Sequence, residues 1–118
     1  MKEKPTYTII GDNTEIQGTV KVKGSIMIAG HISGDVEAEE IVRVALGAQI
    51  DGRITAGEVV MNGFVKNGIQ ATGKVILGEK SDLRGDLIAT RLIVEEGAVF
   101  SGTGSVMDKN ERQKDEEG

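Results

Sequence analysis

Apolar residues in this chain recur in a fixed five-residue pattern: apolar, any residue, Gly, any residue, apolar. It appears as Ile16-Gln17-Gly18-Thr19-Val20, Ile32-Ser33-Gly34-Asp35-Val36, Ile50-Asp51-Gly52-Arg53-Ile54 and Leu83-Arg84-Gly85-Asp86-Leu87. Val65-Lys66-Asn67-Gly68-Ile69 fits with Asn in the Gly slot, and Phe100-Ser101-Gly102-Thr103-Gly104 is a degenerate last copy. The central positions 18, 34, 52, 67, 85 and 102 are separated by 16, 18, 15, 18 and 17 residues, a period of about 17 over six copies. A fixed period of this length is the mark of stacked repeats.

Further apolar columns fall into place around this anchor. Two residues beyond its second apolar position stands Val22, Ala38, Ala56, Ala71, Ala89 or Val106. Three or four residues further on is Ile26, Val42, Val59, Val75 or Leu92, and two beyond that Ile28, Val44, Met61, Leu77 or Val94, with Ile10 serving the first copy. The next anchor follows after six, four, six, four, six and six residues. Slippage is confined to connections, as it should be where strands alternate with turns. A spacing of two puts side chains on one face of a strand, and no stretch sustains a capped 3.6-residue period. Gly or Asn at one recurrent corner predicts positive φ there.

A chain that turns every five or six residues and repeats every 17 or so closes a three-sided coil. The prediction is an all-β, single-stranded parallel β-helix, a triangular solenoid of about six rungs. Outward positions then stack Lys21 beneath Glu37, Asp35 beneath Arg53 and Asp51 beneath Lys66, opposite charges worth about 0.2–1 kcal/mol per pair. The Ala column implies a tight corner. Asn62-Gly63 and Asn67-Gly68, hairpin signals in isolation, read here as coil corners. Phe64 and Ile88 point outward and are candidates for lateral or partner contacts.

The repeats define one domain over residues 8–107, with polar tails at 1–7 and 108–118 expected to be disordered. Their columns run to both limits of the domain: Ile10, Ile16, Val20 and Val22 at one end, Val94, Phe100 and Val106 at the other. Solenoids that stay monomeric cover such ends with a polar cap. Neither tail has an amphipathic pattern able to do so, which predicts an end-to-end homopolymer.

Composition narrows the function. The chain has 118 residues, 3% aromatics, no Trp and no Cys, so its core is aliphatic and disulfides are excluded. A net charge of −5 with both signs dispersed argues against nucleic acid as a partner. Neither a signal peptide nor an apolar run near the ~18 residues of a membrane helix is present, so the expected location is the cytoplasm. Gly68-Ile69-Gln70-Ala71-Thr72-Gly73-Lys74 imitates a phosphate-binding loop, but Val75 stands where a Mg²⁺-binding Ser or Thr is needed, and core columns claim Ile69, Ala71 and Val75. His31, the one histidine, reads as a solvated surface residue in a column with Glu15, Gln49 and Asp82. Glu39-Glu40, Glu95-Glu96 and Glu116-Glu117 lack calcium-loop spacing and read as solvated turn charges. No catalytic, cofactor or metal residue is therefore assigned.

Two other classes fit parts of the pattern. Residues 32, 38, 44, 50 and 56 keep the six-residue beat of hexapeptide-type acyltransferases. That class needs a catalytic histidine at a trimer cleft, whereas here the beat slips at alternate turns and His31 stands alone. A monomeric solenoid binding module is the third reading.

The repeat, Thr8-Ile9-Ile10-Gly11 at its start and Val94-Glu95-Glu96-Gly97-Ala98-Val99-Phe100-Ser101-Gly102 in its last copy resemble the bactofilins over roughly residues 7–107. The resemblance implies a right-handed triangular β-helix that polymerises without nucleotide into non-polar filaments. It further implies a bacterial cytoskeletal scaffold serving cell shape or local organisation, with other bactofilins or wall-modifying enzymes as partners. Phe100 matches the family's bulky residue in the terminal rung. Some members carry an apolar or basic membrane-targeting start; Met1-Lys2-Glu3-Lys4-Pro5 lacks its bulky apolar residue, so membrane association is expected only through partners.

Overall fold

A computed structural model of the chain describes residues 7–107; the two expected tails, apart from Tyr7, lie outside them. Strands of two to four residues follow one another around a three-sided coil, and each lies parallel to its equivalent one turn away. The first sheet stacks Tyr7–Ile10, Ser25–Ile28, Ile41–Val44, Glu58–Met61, Lys74–Leu77 and Arg91–Val94. The second stacks Glu15–Gln17, His31–Ser33, Gln49–Ile50, Phe64–Val65, Asp82–Arg84 and Val99–Ser101. The third stacks Val20–Val22, Val36–Ala38, Ile54–Ala56, Ile69–Ala71, Leu87–Ala89 and Gly104–Val106. Three six-stranded sheets thus form a β-solenoid of six rungs, with no helix among the described residues.

Register follows the apolar columns. Ile26 pairs with Val42, Ile32 with Ile50 and Val36 with Ile54, so like positions stack in the core. A one-residue slip would turn each column out to water, and this fixes the register. Between the terminal rungs the interior is aliphatic apart from Met61, and from Ile26 to Leu87 the large inward side chains are buried completely or nearly so. Ala38, Ala56, Ala71 and Ala89 line the tight corner between the third and first sheets, as their small size requires.

The corner between the first and second sheets accounts for most of the uneven period, and the corner between the third and first, one or two residues long, for the rest. The former takes four residues in rungs one, three, five and six, and two in rungs two and four. Each long corner is a β-turn, closed by Thr14 N–H to Gly11 O, Ala48 to Ala45, Ser81 to Gly78 and Ala98 to Glu95 at 3.0–3.1 Å. Gly47 and Gly97 supply the positive φ, 88° and 98°, that the third position of a type II turn demands. Ser81, a buried polar side chain, donates its hydroxyl to Gly78 O at 2.8 Å.

At the corner between the second and third sheets the structure differs in detail from the sequence expectation. No non-glycine residue among those described has positive φ, so Asn67 does not take the Gly role assigned to it; Gly68, at 99°, does. Asn67 instead donates its side-chain amide to the Asp51 carbonyl of the rung below at 2.9 Å. Gly52 also lies outside the left-handed region; close stacking on Gly34 selects it.

Candidate polymerisation interface

Each sheet ends in a strand whose outer edge has no partner among the described residues, so each end of the solenoid offers three strand edges. One end carries Tyr7–Ile10, Glu15–Gln17 and Val20–Val22; the other carries Arg91–Val94, Val99–Ser101 and Gly104–Val106. The burial profile registers the missing cover. Ile28, Ile32, Val36 and Ala38 in the second rung are buried, whereas Ile10, Ile16, Val20 and Val22 directly beneath them are only partly so. At the opposite end Leu83 and Leu87 are fully buried, while Phe100 and Val106 are half-buried and Val94 is half exposed. The seven residues singled out in the sequence therefore fall into two clusters, one at each end. Among the described residues nothing covers either.

Three further residues belong to these ends; Leu92 already stood in an apolar column of the sequence, while Thr8 and Ala98 escaped the sequence reading. Thr8 pairs with Ile26 and fills the inward place of the first rung that every other rung gives to an aliphatic residue. Its hydroxyl hid it from an apolar template. Leu92 and Ala98 also pack against the core in the last rung. There the degenerate anchor copy has a physical reason. Gly104 pairs with Leu87 and stands where the other rungs carry Val, Ile or Leu. A Cβ at 104 would lie 3.2 Å from Cε2 of Phe100, so the missing side chain makes room for the ring.

The outer surface settles the remaining candidates. Lys21 Nζ reaches Glu37 at 4.0 Å, as the stacking predicts. Asp35 uses Oδ1 to accept the backbone N–H of Arg53 at 3.0 Å rather than meeting its guanidinium. Asp51 makes no direct ion pair with Lys66: its Oδ1 accepts from the Gln49 amide and its Oδ2 from His31 Nε2, both at 2.9 Å. His31 is accordingly not a free solvated residue. It is half-buried and held diagonally by Asp51, with Glu15 Oε2 at 3.9 Å from its Nδ1. Phe64 points outward under the Arg84 guanidinium, 5.2 Å from the ring centroid, a cation–π contact.

Chiefly the Gln49 amide, and then the His31 ring, hold the Asp51 carboxyl below its ordinary value of 3.8, against an opposing effect of burial. A depressed folded-state pKa stabilises the fold above the unfolded value, and that contribution is lost as pH falls through the folded one. Asp51→Asn is therefore expected to lower stability above about pH 4, with the difference closing at lower pH. Denaturant midpoints measured from pH 2 to pH 7 check this; a difference that widens in acid would exclude Asp51 as the cause.

The phosphate-loop-like segment is a strand and a corner, with Ile69, Ala71 and Val75 buried in the core. Glu39-Glu40 and Glu95-Glu96 lie in corners, and Glu116-Glu117 falls outside the described residues. No group of three or more metal-capable side chains exists among the described residues. No helix among them is long and apolar enough to cross a membrane.

Fold and ends together define a β-solenoid module with two open, apolar faces. The Bactofilin family, described as polymer-forming cytoskeletal, matches residues 8–105. The chain is 30% identical over 105 residues to Bactofilin BacO of Myxococcus xanthus (strain DK1622), covering 89% of this chain and 82% of that one. It is 24% identical over 95 residues to Bactofilin BacP of the same organism, covering 80% of this chain and 40% of that one. No solved structure matches it significantly. The chain belongs to the bactofilin family, a polymer-forming cytoskeletal family.

Proposed function

We propose that this chain assembles end to end, without nucleotide, into non-polar filaments that serve as a bacterial cytoplasmic scaffold for cell shape or for organising wall-modifying enzymes. The observation that carries the reading is the pair of ends that nothing among the described residues caps, each joining apolar columns to three strand edges unpaired among those residues. Stacking a second copy on Ile10, Ile16, Val20 and Val22, or on Val94, Phe100 and Val106, extends both core and ladders at no cost in buried polar groups. A non-polar filament alternates these junctions, like end on like end, each with its own two-fold symmetry. The role is structural rather than catalytic, with further bactofilins or wall enzymes as partners and any membrane association made through them. The 8–107 solenoid is the assembling part, and the tails at 1–7 and 108–118 are flanking segments.

Sedimentation and negative-stain microscopy of the purified chain test this. The chain is expected to pellet as filaments in buffer without nucleotide or added metal, and nucleotide is expected to change nothing. A sharp monomer or trimer at high concentration would refute the reading, the trimer favouring an acyltransferase-like assembly.

A further inference from the structure

The outer side of the first sheet differs from the other two. Its inner residues are claimed by the core, yet its outward residues are also mostly apolar. One outward column runs Ile9, Met27, Arg43, Val60, Ile76 and Ile93, one residue per rung; beside it runs Tyr7, Ser25, Ile41, Glu58, Lys74 and Arg91. Seven of these twelve are apolar or aromatic, while the outer sides of the second and third sheets are polar apart from Phe64, Val99 and Ile88. Ile9 and Tyr7 are 63% and 49% exposed and Ile93 is 40% exposed. An apolar stripe that runs the length of one face, interrupted in its main column by Arg43, marks an interaction surface.

We propose that this stripe pairs filaments side by side, each subunit laying its first sheet against that of a second copy whose coil axis runs the opposite way. The inference rests on end-to-end assembly as proposed above. Charge selects both partner and direction. The stripe's charges are Arg43 in the third rung, Glu58 in the fourth, Lys74 in the fifth and Arg91 in the sixth. Copies facing with axes aligned would set Lys74 and Arg91 against themselves. With one axis reversed, rung one faces rung six, two faces five and three faces four. Arg43 then comes beside Glu58 of the second copy, twice by symmetry, while Lys74 meets the rung of Ser25 and Met27, and Arg91 the rung of Tyr7 and Ile9. No ion pair within the described residues engages Arg43 or Glu58. An isologous face-to-face contact of this kind closes on itself.

Area then sets when pairing occurs. Six rungs about 4.8 Å apart and strands about 13 Å long give a face of roughly 350–400 Å². That is about half of what a stable interface buries per partner. A single pair of subunits is therefore weak, and the contact holds only where end-to-end stacking repeats the stripe along a filament.

The test reads filament width and pelleting together. Wild-type filaments are expected as pairs, and Arg43→Glu, which sets Glu against Glu58 of the facing copy, is expected to leave the pelleted fraction unchanged while reducing the paired fraction about ten-fold. The charge swap Arg43→Glu with Glu58→Arg should restore pairing. Circular dichroism and thermal unfolding show that each variant folds. Wild-type filaments that stay single, or Arg43→Glu filaments that stay paired, overturn the proposal while leaving end-to-end assembly intact. Absence of filaments of any width overturns both. Filaments that stay single and bind phosphatidylglycerol vesicles, losing that binding on Arg43→Glu, would assign the stripe to an anionic lipid surface instead.

Discussion

Phe100→Arg is expected to stop filament growth and leave short, folded species in the supernatant. Phe100 points inward in the last rung, and its ring fills the space vacated by Gly104. In an isolated chain an Arg there can snorkel its guanidinium past the open end into water. In a stacked junction it cannot, and an unpaired charge held between two apolar faces costs several kcal/mol. Losing the ring removes contacts from one face of a terminal rung only, so stability should fall by about 1–3 kcal/mol while the five rungs beneath persist. Polarity shows in what remains. If like ends meet, Phe100→Arg leaves dimers joined through Ile10, Ile16, Val20 and Val22, and Ile16→Arg leaves dimers joined through the other end. If unlike ends meet, each variant is monomeric alone, and mixing the two gives a heterodimer. Analytical ultracentrifugation of the variants, separate and mixed, distinguishes these. Filaments of normal length in Phe100→Arg would remove that residue from the junction.

The fold was legible because its constraint is repeated. One Ile32 says little, but Ile16, Ile32, Ile50, Val65, Leu83 and Phe100 at one phase of a repeat define a column, and the register leaves little freedom. Even the alternation of long and short corners was present in the anchor spacing. The single-copy features were not. Thr8 belongs to a column by position and not by type. The exchange of bulk between Phe100 and Gly104 crosses from the second sheet to the third, so neither residue announces the other. On the surface, Asp51 has Gln49, His31 and Lys66 all within reach, and the choice turns on side-chain geometry that spacing does not contain. The stripe on the first sheet was hidden for another reason. Segments such as Ser25-Ile26-Met27-Ile28 and Arg91-Leu92-Ile93-Val94 are apolar on both sides, and a continuous apolar run loses the alternation that separates inside from outside.

Gly52→Ala is expected to damage the solenoid far more than Gly47→Ala, although Gly47 has the more unusual backbone. Gly47 adopts φ of 88° in an exposed turn with nothing within 4 Å of a Cβ placed there. Its substitution meets only the intrinsic penalty of the left-handed region, roughly 1–2 kcal/mol. Gly52 carries no such penalty, but a Cβ there would run into the carbonyl of Gly34 and the carboxylate of Asp35 one rung below. Neither can move freely. Asp35 Oδ1 holds the N–H of Arg53 at 3.0 Å, Val36 N–H donates to Arg53 O at 2.9 Å, and Gly52 O accepts from Asn67 of the next rung at 3.2 Å. The third rung must lift from the second at this corner and loosen its hold on the fourth, an expected loss of about 3–5 kcal/mol. Denaturant unfolding in an Ile16→Arg, Phe100→Arg background measures it, since blocking both ends keeps assembly from masking the change. Because solenoid stability is built from neighbour contacts, strain between rungs two and three should also divide the stack, so Gly52→Ala unfolds over a broader transition with a smaller denaturant slope than Gly47→Ala. Equal losses in the two variants would mean that backbone preference, rather than the close approach of successive rungs, selects glycine at these corners.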